Sequence, residues 1–331
     1  MPLYHKKSST MNICLVGYGM IAEHHVRALR TLEDIHFRWL VGRRPEPTRA
    51  FADEWEFEHQ TLELAKALAD DTVDAVVITS PNVLHVSQAT AALNAGKHVL
   101  LEIPIAMALA DAQGLAALAQ QVNRRLMICH SMRFLHAFSY IRRLVEEDRF
   151  HMTQFLGNIF IRRRTNLTAT GKPRSWTDNI LWHHGAHLTD LAMWLGNASS
   201  VERLSYHPGP DYRQQGTVDM SLTMTLPSGA IATIAQSYFT PGFGTQVLVI
   251  GHEETFLWKN ETLYDFEGKV LIPRQSILDL VDQNAEFVKA VRENRPPAIT
   301  PETIMPTMQM LAQAQSIAEA EPPPVSHPPK L

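Results

Sequence analysis

The amino-acid sequence predicts an α/β protein of two domains. A parallel-sheet domain over residues 1–129 precedes an α/β domain with an open, mainly antiparallel sheet over residues 130–320. Three observations support this. The apolar run Ile13-Cys14-Leu15-Val16 leads directly into Gly17 and Gly19, and helix-compatible residues follow to about Leu29. Apolar runs then alternate with helical stretches as far as residue 129, the pattern of a mostly parallel sheet covered on both faces. Beyond residue 151 the period changes to two, and Val218, Met220, Leu222, Met224 and Leu226 alternate with Asp219, Ser221, Thr223 and Thr225.

The first strand and its turn read Gly17-x-Gly19-x-x-Ala22, a dinucleotide-binding pattern that defines a domain of the Rossmann type. Gly17 permits the tight turn, Gly19 lets backbone approach a pyrophosphate, and Ala22 lets the helix pack close to the strand. Met20 and Ile21 begin that helix, whose free N–H groups face phosphate charge. A second strand, His36 to Val41, ends at Gly42-Arg43-Arg44-Pro45. A carboxylate at this place would bind the ribose hydroxyl of NAD. Here Arg43 and Arg44 suit a 2′-phosphate, which favours NADP while leaving NAD open.

A helix is expected over 61–68, a strand over 73–79 and a helix over 83–94. The next strand covers 97–101, Glu102-Ile103-Pro104 closes it, and a helix over 108–122 and a strand over 126–129 follow. Strand ends face the cofactor in such a sheet, so Thr79, Ser80, Asn82, His85, Glu102 and Ile103 are candidate cofactor contacts.

In the second domain, Leu135, Phe138, Ile141, Leu144 and Val145 form the apolar stripe of a helix over 134–145. Pro227-Ser228-Gly229 turns the chain into a strand over 231–238, and further strands are expected over 247–250, 255–258 and 262–266. Helices near 277–293 and 302–320 close the domain. Residues 1–10 read as a leader and 321–331 as a mobile proline-rich tail. The open sheet suits a second copy of the chain, in a homodimer or homotetramer.

At 331 residues with a formal net charge of −4, the chain offers no global electrostatic case for a nucleic-acid partner. It has no long apolar span, so a cytoplasmic protein without membrane contact is expected. Cys14 and Cys129 fall in apolar runs and read as buried free thiols.

The chemistry concentrates in Trp176 to Trp194. On a helix, His183 and His187 lie at i and i+4 and point the same way, with Asp190 able to reach that side. An imidazole near neutrality suits removal of a proton from an alcohol as hydride leaves its carbon, so both histidines are catalytic candidates. The group lacks a fourth ligand at typical spacing, and no metal is assigned to it. Arg133, Arg162-Arg163-Arg164 and Arg174 form a basic set, with Thr165 and Asn166 beside it. Arginine is the natural fork for a carboxylate, so a small dicarboxylate substrate is expected at Arg133, Arg163, Asn166, Arg174, Trp176 and His183.

From about residue 11 to 320 the chain resembles the glucose–fructose oxidoreductase, inositol dehydrogenase and rhizopine-catabolism (Gfo/Idh/MocA) family of NAD(P)-dependent enzymes. The resemblance implies a Rossmann domain followed by an open-sheet domain often used for oligomerisation. The family pattern E-K-P reads Glu102-Ile103-Pro104 here, with isoleucine at the usual lysine. The pattern D-x-x-x-H reads His183-x-x-x-His187, with histidine at the usual aspartate. The segments V-G-R-R-x-E-P-T at 41–48, R-R-T-N at 163–166 and R-S-W-T-D-x-x-L-W-H-H-x-A-H at 174–187 are similar to a branch acting on carboxylated ring compounds. That likeness implies NADP-linked oxidation of a cyclic hemiacetal to a lactone, with His187 as base and His183 orienting it or sharing the role. A dehydrogenase of another carboxylated cyclic diol or of a sugar, and a non-catalytic NADP-binding protein, are the alternatives.

Overall fold

The computed structural model describes residues 10–163, 179–212, 217–320 and 325–326. The candidates Arg164, Thr165, Asn166, Arg174 and Trp176 lie outside the described residues. The chain divides into two compact units, one of Met1–Ala106, Ala110–Cys129 and Leu278–Glu302, the other of Met107–Leu109, His130–Ile277 and Thr303–Leu331.

The first unit is built on a six-stranded parallel sheet in the order β3-β2-β1-β4-β5-β6. Its strands are β1 (Met11–Val16), β2 (Ile35–Val41), β3 (His59–Thr61), β4 (Ala75–Ile78), β5 (His98–Leu101) and β6 (Leu126–Ile128). The central strands are apolar throughout because helices cover both faces; all four residues of β4 are buried. Those helices are α1 (Met20–Leu29), α2 (Pro45–Glu54), α3 (Leu64–Leu68), α4 (His85–Asn94) and α5 (Leu109–Gln121). Strand order reverses between β1 and β4, and the ends of these strands form the crevice where ligands bind in such sheets.

Two local features differ from expectation. The helix read over 61–68 starts only at Leu64, and Thr61 belongs to β3. That strand is short, polar and at the sheet edge, so it has no apolar run to announce it. The segment Leu278–Glu302 carries α8 (Val281–Arg292) and belongs to the first unit, where α8 packs against α1. Its periodicity marked a helix but carried no information about its partner.

In the second unit the eight-stranded sheet runs β15-β14-β13-β12-β7-β11-β10-β8. The strands are β7 (Met152–Phe160), β8 (Arg203–Pro208), β10 (Asp219–Thr225), β11 (Ile231–Ser237), β12 (Gly244–Gly251), β13 (Thr255–Lys259), β14 (Thr262–Tyr264) and β15 (Val270–Ile272). All neighbours are antiparallel except β7 and β11, which pair in parallel. A short parallel pair, β9 (Asp211–Tyr212) with β16 (Val325–Ser326), stands apart from this sheet. The alternation read from sequence holds on β10, where Met220, Leu222 and Met224 are buried and Ser221 and Thr223 exposed. The buried face is covered by α6 (His136–Glu146), whose Phe138 ring lies 5.1 Å from that of Trp258 on β13, and by α7 (Ala186–Leu195) over β7 and β11. The last helix is α9 (Pro301–Ala320). The other face leaves Phe160 and Ile231 exposed and Leu248 and Ile250 half-buried.

Both cysteines are free and buried, and burial pushes the Cys14 thiol up to about 12. Among the described residues, no helix is long and apolar enough to cross a membrane.

Candidate functional site

In the first unit the candidate cofactor-binding element is the glycine turn after β1. Gly17 has φ +114°, a left-handed conformation that glycine adopts without strain, and its N–H donates to the Val41 carbonyl at 2.9 Å. A Cβ there would meet Thr79 Oγ1 at 2.5 Å and its carbonyl oxygen at 3.0 Å. Gly17→Ala is therefore expected to cost ~1–3 kcal/mol of stability and to weaken dinucleotide binding, both read in one thermal-shift titration with NADP.

Gly19 is the residue before α1, and a Cβ there would meet nothing within 4 Å. That open space lies at the N-terminus of α1. Ala22 is fully buried, as its small side chain requires, Met20 is exposed and Ile21 half-buried. An open glycine cradle at a helix N-terminus is the geometry a pyrophosphate needs, so these residues fit NAD(P). At the end of β2, Arg43 and Arg44 are exposed, and Arg44 Nε donates to the Tyr18 hydroxyl at 3.4 Å.

The candidates at the ends of β4 and β5 are held by specific bonds. Thr79 Oγ1 donates to the Val16 carbonyl at 2.8 Å, and Ser80 Oγ to Gln88 Oε1 at 2.5 Å. Asn82 is buried in a 3-10 turn, Asn82–Leu84, ahead of α4. His85 was expected at the cofactor. The structure turns it inward instead, 1% exposed, with Nδ1 2.8 Å from the Pro104 carbonyl and Nε2 2.9 Å from the Ser80 carbonyl. It ties the two strand-end loops together. Glu102 is likewise engaged within the protein: Oε1 meets His25 Nε2 at 2.8 Å, and Oε2 accepts from the Ile103 N–H at 3.2 Å. His25 Nδ1 reaches Asn284 Oδ1 on α8 at 2.9 Å. The Ile103 side chain is buried, so no amine projects from this position.

His25, Glu102 and Cys129 bring ligand-type atoms within 4.8 Å of one another. They form a hydrogen-bonded group. Burial, the Glu102 charge and a hydrogen bond to Glu102 push the Cys129 thiol well up, opposing the thiolate a metal needs.

The second unit carries its own candidate group, on the segment leading into α7. Asn179 Oδ1 accepts from the Leu181 and Trp182 N–H groups at 3.0 and 3.3 Å and starts the segment. Leu181–Gly185 then forms a π-helical turn, with Gly185 N–H donating to the Ile180 carbonyl at 2.8 Å, before α7 begins. His183 and His187 were expected on one regular helix. Instead His183 sits in the wide turn and His187 in α7, and the wider turn brings a third imidazole into the group. The His183 and His184 rings stack at 4.1 Å, His184 lies 6.4 Å from His187, and His187 meets His130 edge-on at 6.2 Å. His183, His184 and His187 are half-exposed, whereas His130 is buried.

Asp190 and Arg133 depart from expectation. Asp190, three residues beyond His187 on α7, is fully buried and accepts from Arg133 Nε at 2.7 Å, Arg133 Nη2 at 2.6 Å and Thr307 Oγ1 at 3.1 Å. His130 Nδ1 lies 3.4 Å from its second oxygen. Burial pushes the Asp190 carboxyl up, but His130, Arg133 and Thr307 outweigh it and hold the group below its ordinary value. The Arg133 fork is therefore committed to Asp190, with its guanidinium 5.4 Å from the Trp194 ring centre, and is not the substrate fork expected.

Arg163 is placed differently. It follows β7, half-buried, while its neighbour Arg162 points outward. Its N–H donates to the Tyr238 carbonyl at 2.8 Å, and its guanidinium lies 5.1 Å from the Tyr238 ring centre. His184 Nδ1 sits 2.6 Å from the same hydroxyl. His184 and Tyr238 were missed because each reads locally as packing, one beside a better-placed histidine and the other as the last aromatic of a strand.

A glycine turn on a parallel nucleotide-binding sheet, and a second unit carrying clustered imidazoles and a guanidinium, define an NAD(P)-dependent oxidoreductase acting on CH–OH groups. Residues 11–130 match the model of the oxidoreductase family with NAD-binding Rossmann fold, and residues 136–272 that of the bacterial oxidoreductases, C-terminal. The chain belongs to the Gfo/Idh/MocA oxidoreductase family. It is 30% identical over 310 residues to 4-carboxy-2-hydroxymuconate-6-semialdehyde dehydrogenase of Sphingobium sp. strain SYK-6, covering 92% of this chain and 98% of that one. It is 25% identical over 213 residues to 1-carboxy-3-chloro-3,4-dihydroxycyclo hexa-1,5-diene dehydrogenase of Comamonas testosteroni, covering 63% of this chain and 51% of that one. Its fold is similar to the crystal structure of GenD2 from gentamicin A biosynthesis, in complex with NAD, at TM-score 0.80 and 21% identity over 95% of each chain.

Proposed function

We propose that the protein oxidises the cyclic hemiacetal of 4-carboxy-2-hydroxymuconate-6-semialdehyde to 2-pyrone-4,6-dicarboxylate with NADP, within protocatechuate 4,5-cleavage in the cytoplasm. The observation that carries this reading is the imidazole group of His183, His184 and His187, with Arg163 in the same unit, in a chain that buries isoleucine at the family's lysine position. The similarity to the Sphingobium enzyme over nearly the whole chain supports it.

In this scheme His187 takes the hemiacetal hydroxyl proton and His183 orients the substrate. Arg163 holds a carboxylate as a charged fork. Bound NADP supplies the hydride acceptor. Loss of the C–H hydride and the O–H proton turns the hemiacetal carbon into the lactone carbonyl. The product is a conjugated pyrone, so the reaction has a driving force that does not call for an ammonium group on the alcohol.

Arg43 and Arg44 would hold the 2′-phosphate. Replacing both with alanine is expected to raise the NADP Kd by about ten- to a hundredfold, from the ~1.5–3 kcal/mol of a charged hydrogen bond, and to leave NAD binding nearly unchanged. Fluorescence titration with NADPH and NADH checks this. A second copy of the chain would cover the open sheet face around Ile231 and Leu248, in a dimer or tetramer, and light scattering of the purified protein reads the subunit number.

The deciding assay follows NADPH formation with the ring-fission semialdehyde. Turnover with that compound, and none with inositols or sugars, supports the assignment. Activity confined to carboxylated cyclic diols would move it to the reaction class of the Comamonas relative. Tight NADP binding without hydride transfer to any of them would make the chain a binding protein.

A further inference from the structure

We propose that Tyr18 is a specificity-determining residue of the dinucleotide site: its hydroxyl binds the 2′-phosphate of NADP and sets the Arg44 guanidinium for the same group. The inference deepens the assignment of the 2′-phosphate to the turn after β2 and rests on it.

Strands β1 and β2 are parallel neighbours with Val16 opposite Val41, and the Gly17 N–H donates to the Val41 carbonyl at 2.9 Å. The turns that leave the two strands therefore stand side by side. Tyr18 lies between the two glycines of the first turn, half-exposed. Its hydroxyl reaches the second turn, where it accepts from Arg44 Nε at 3.4 Å. In a sheet of this type the pyrophosphate lies over the first turn and the adenosine ribose at the end of β2. The Tyr18 side chain bridges those two places.

The chemistry of the pair fixes its roles. A guanidinium only donates, so the phenolic oxygen accepts from Arg44 and directs its own proton elsewhere. Among the described residues nothing else hydrogen-bonds the Tyr18 hydroxyl. That leaves the O–H for an acceptor oxygen of a ligand, beside the Nη1 and Nη2 edge of Arg44, the fork a phosphate takes. A neutral phenol also holds the guanidinium without cancelling its charge, as a carboxylate there would.

The turn after β2 has no room for the carboxylate that selects NAD. A Cβ on Gly42 would run into the Thr48 side chain, meeting its Cβ and Cγ2 at 2.7 Å. Thr48 is 1% exposed and is tied twice to the Arg44 carbonyl, by its N–H at 3.1 Å and its Oγ1 at 2.6 Å. Thr48 thus holds the main chain of Arg44, and Tyr18 holds its side chain.

Fluorescence titration of the full-length protein with NADPH and NADH, and calorimetry with 2′,5′-ADP, give the Kd values of the wild type, Tyr18→Phe, Arg44→Ala and the double variant. Tyr18→Phe keeps the ring and removes only the hydroxyl. It is expected to raise the Kd for NADPH and 2′,5′-ADP about tenfold, the loss of a hydrogen bond to a charged group, and to leave NADH within about twofold. The same substitution should cost less in the Arg44→Ala background, because part of the effect passes through Arg44. An equal rise for NADPH and NADH would make Tyr18 a packing residue of the turn, and an unchanged NADPH Kd would take its hydroxyl off the phosphate; either result overturns the proposal. Full additivity overturns the part played through Arg44. A wild-type chain that binds NADPH no more tightly than NADH removes the 2′-phosphate assignment itself. A preference lost in Arg44→Ala but kept in Tyr18→Phe removes Tyr18 alone.

Discussion

Alanine at His187 is expected to lower kcat by ~10²–10⁴-fold, the usual worth of a positioned general base, while the Kd for NADP stays within about twofold. The separation of effects follows from placement: His187 is on α7 in the second unit, and the glycine turn after β1 belongs to the first. Because chemistry alone is impaired, pre-steady-state formation of NADPH should slow as much as steady-state turnover. The same substitution at His183 should act mainly through KM if that ring orients rather than accepts. Unchanged turnover in His187→Ala would remove it from the scheme and transfer the base to a neighbouring imidazole.

Breaking the Asp190–Arg133 pair should give the largest loss of stability of any single change considered. Asp190 is buried and Arg133 half-buried, with side chains 2% and 9% exposed, and two short bonds join them. Asp190→Asn leaves the guanidinium in a low-dielectric site without its counter-charge, at a cost of about 3–5 kcal/mol. The midpoint of denaturant unfolding measures it. A paired variant, Asp190→Leu with Arg133→Met, should recover much of that loss, because removing both charges removes the desolvation burden as well. Failure to recover would mean that the pair holds α7 in a geometry that apolar packing does not reproduce.

The pair also sets an acid limit. The Asp190 carboxyl is held below its ordinary value in the folded chain, so its contribution to stability is fully present above the unfolded carboxyl's pKa, about 3.9. It is lost as pH falls through the lower, folded value. Acid unfolding of the wild type should therefore show a transition that Asp190→Leu/Arg133→Met lacks.

How far each feature could be read from sequence follows the range of the interactions behind it. The turn at Gly17 was legible because a left-handed φ and the close approach of Thr79 demand glycine there. The alternation on β10 was legible because one face of that strand is buried. The strand β3 was not, since three polar residues at an edge carry no period. The place of α8 was not either, because an amphipathic pattern names a buried face but not what buries it.

The sequence by itself determined the cofactor-binding architecture, the two sheet types and the concentration of imidazole and guanidinium groups that marks the chemistry. All of these are written in residues near one another along the chain, whose backbone needs or periods are local. Only the tertiary structure decided which groups of the protein each of them meets. Arg133 went to Asp190, His85 to the carbonyls of Ser80 and Pro104, and Glu102 to His25, while Arg163 met His184 through Tyr238. A charged or polar side chain placed inside a fold must find a partner to offset its lost hydration. Those partners come from distant parts of the chain, which a local sequence pattern does not name.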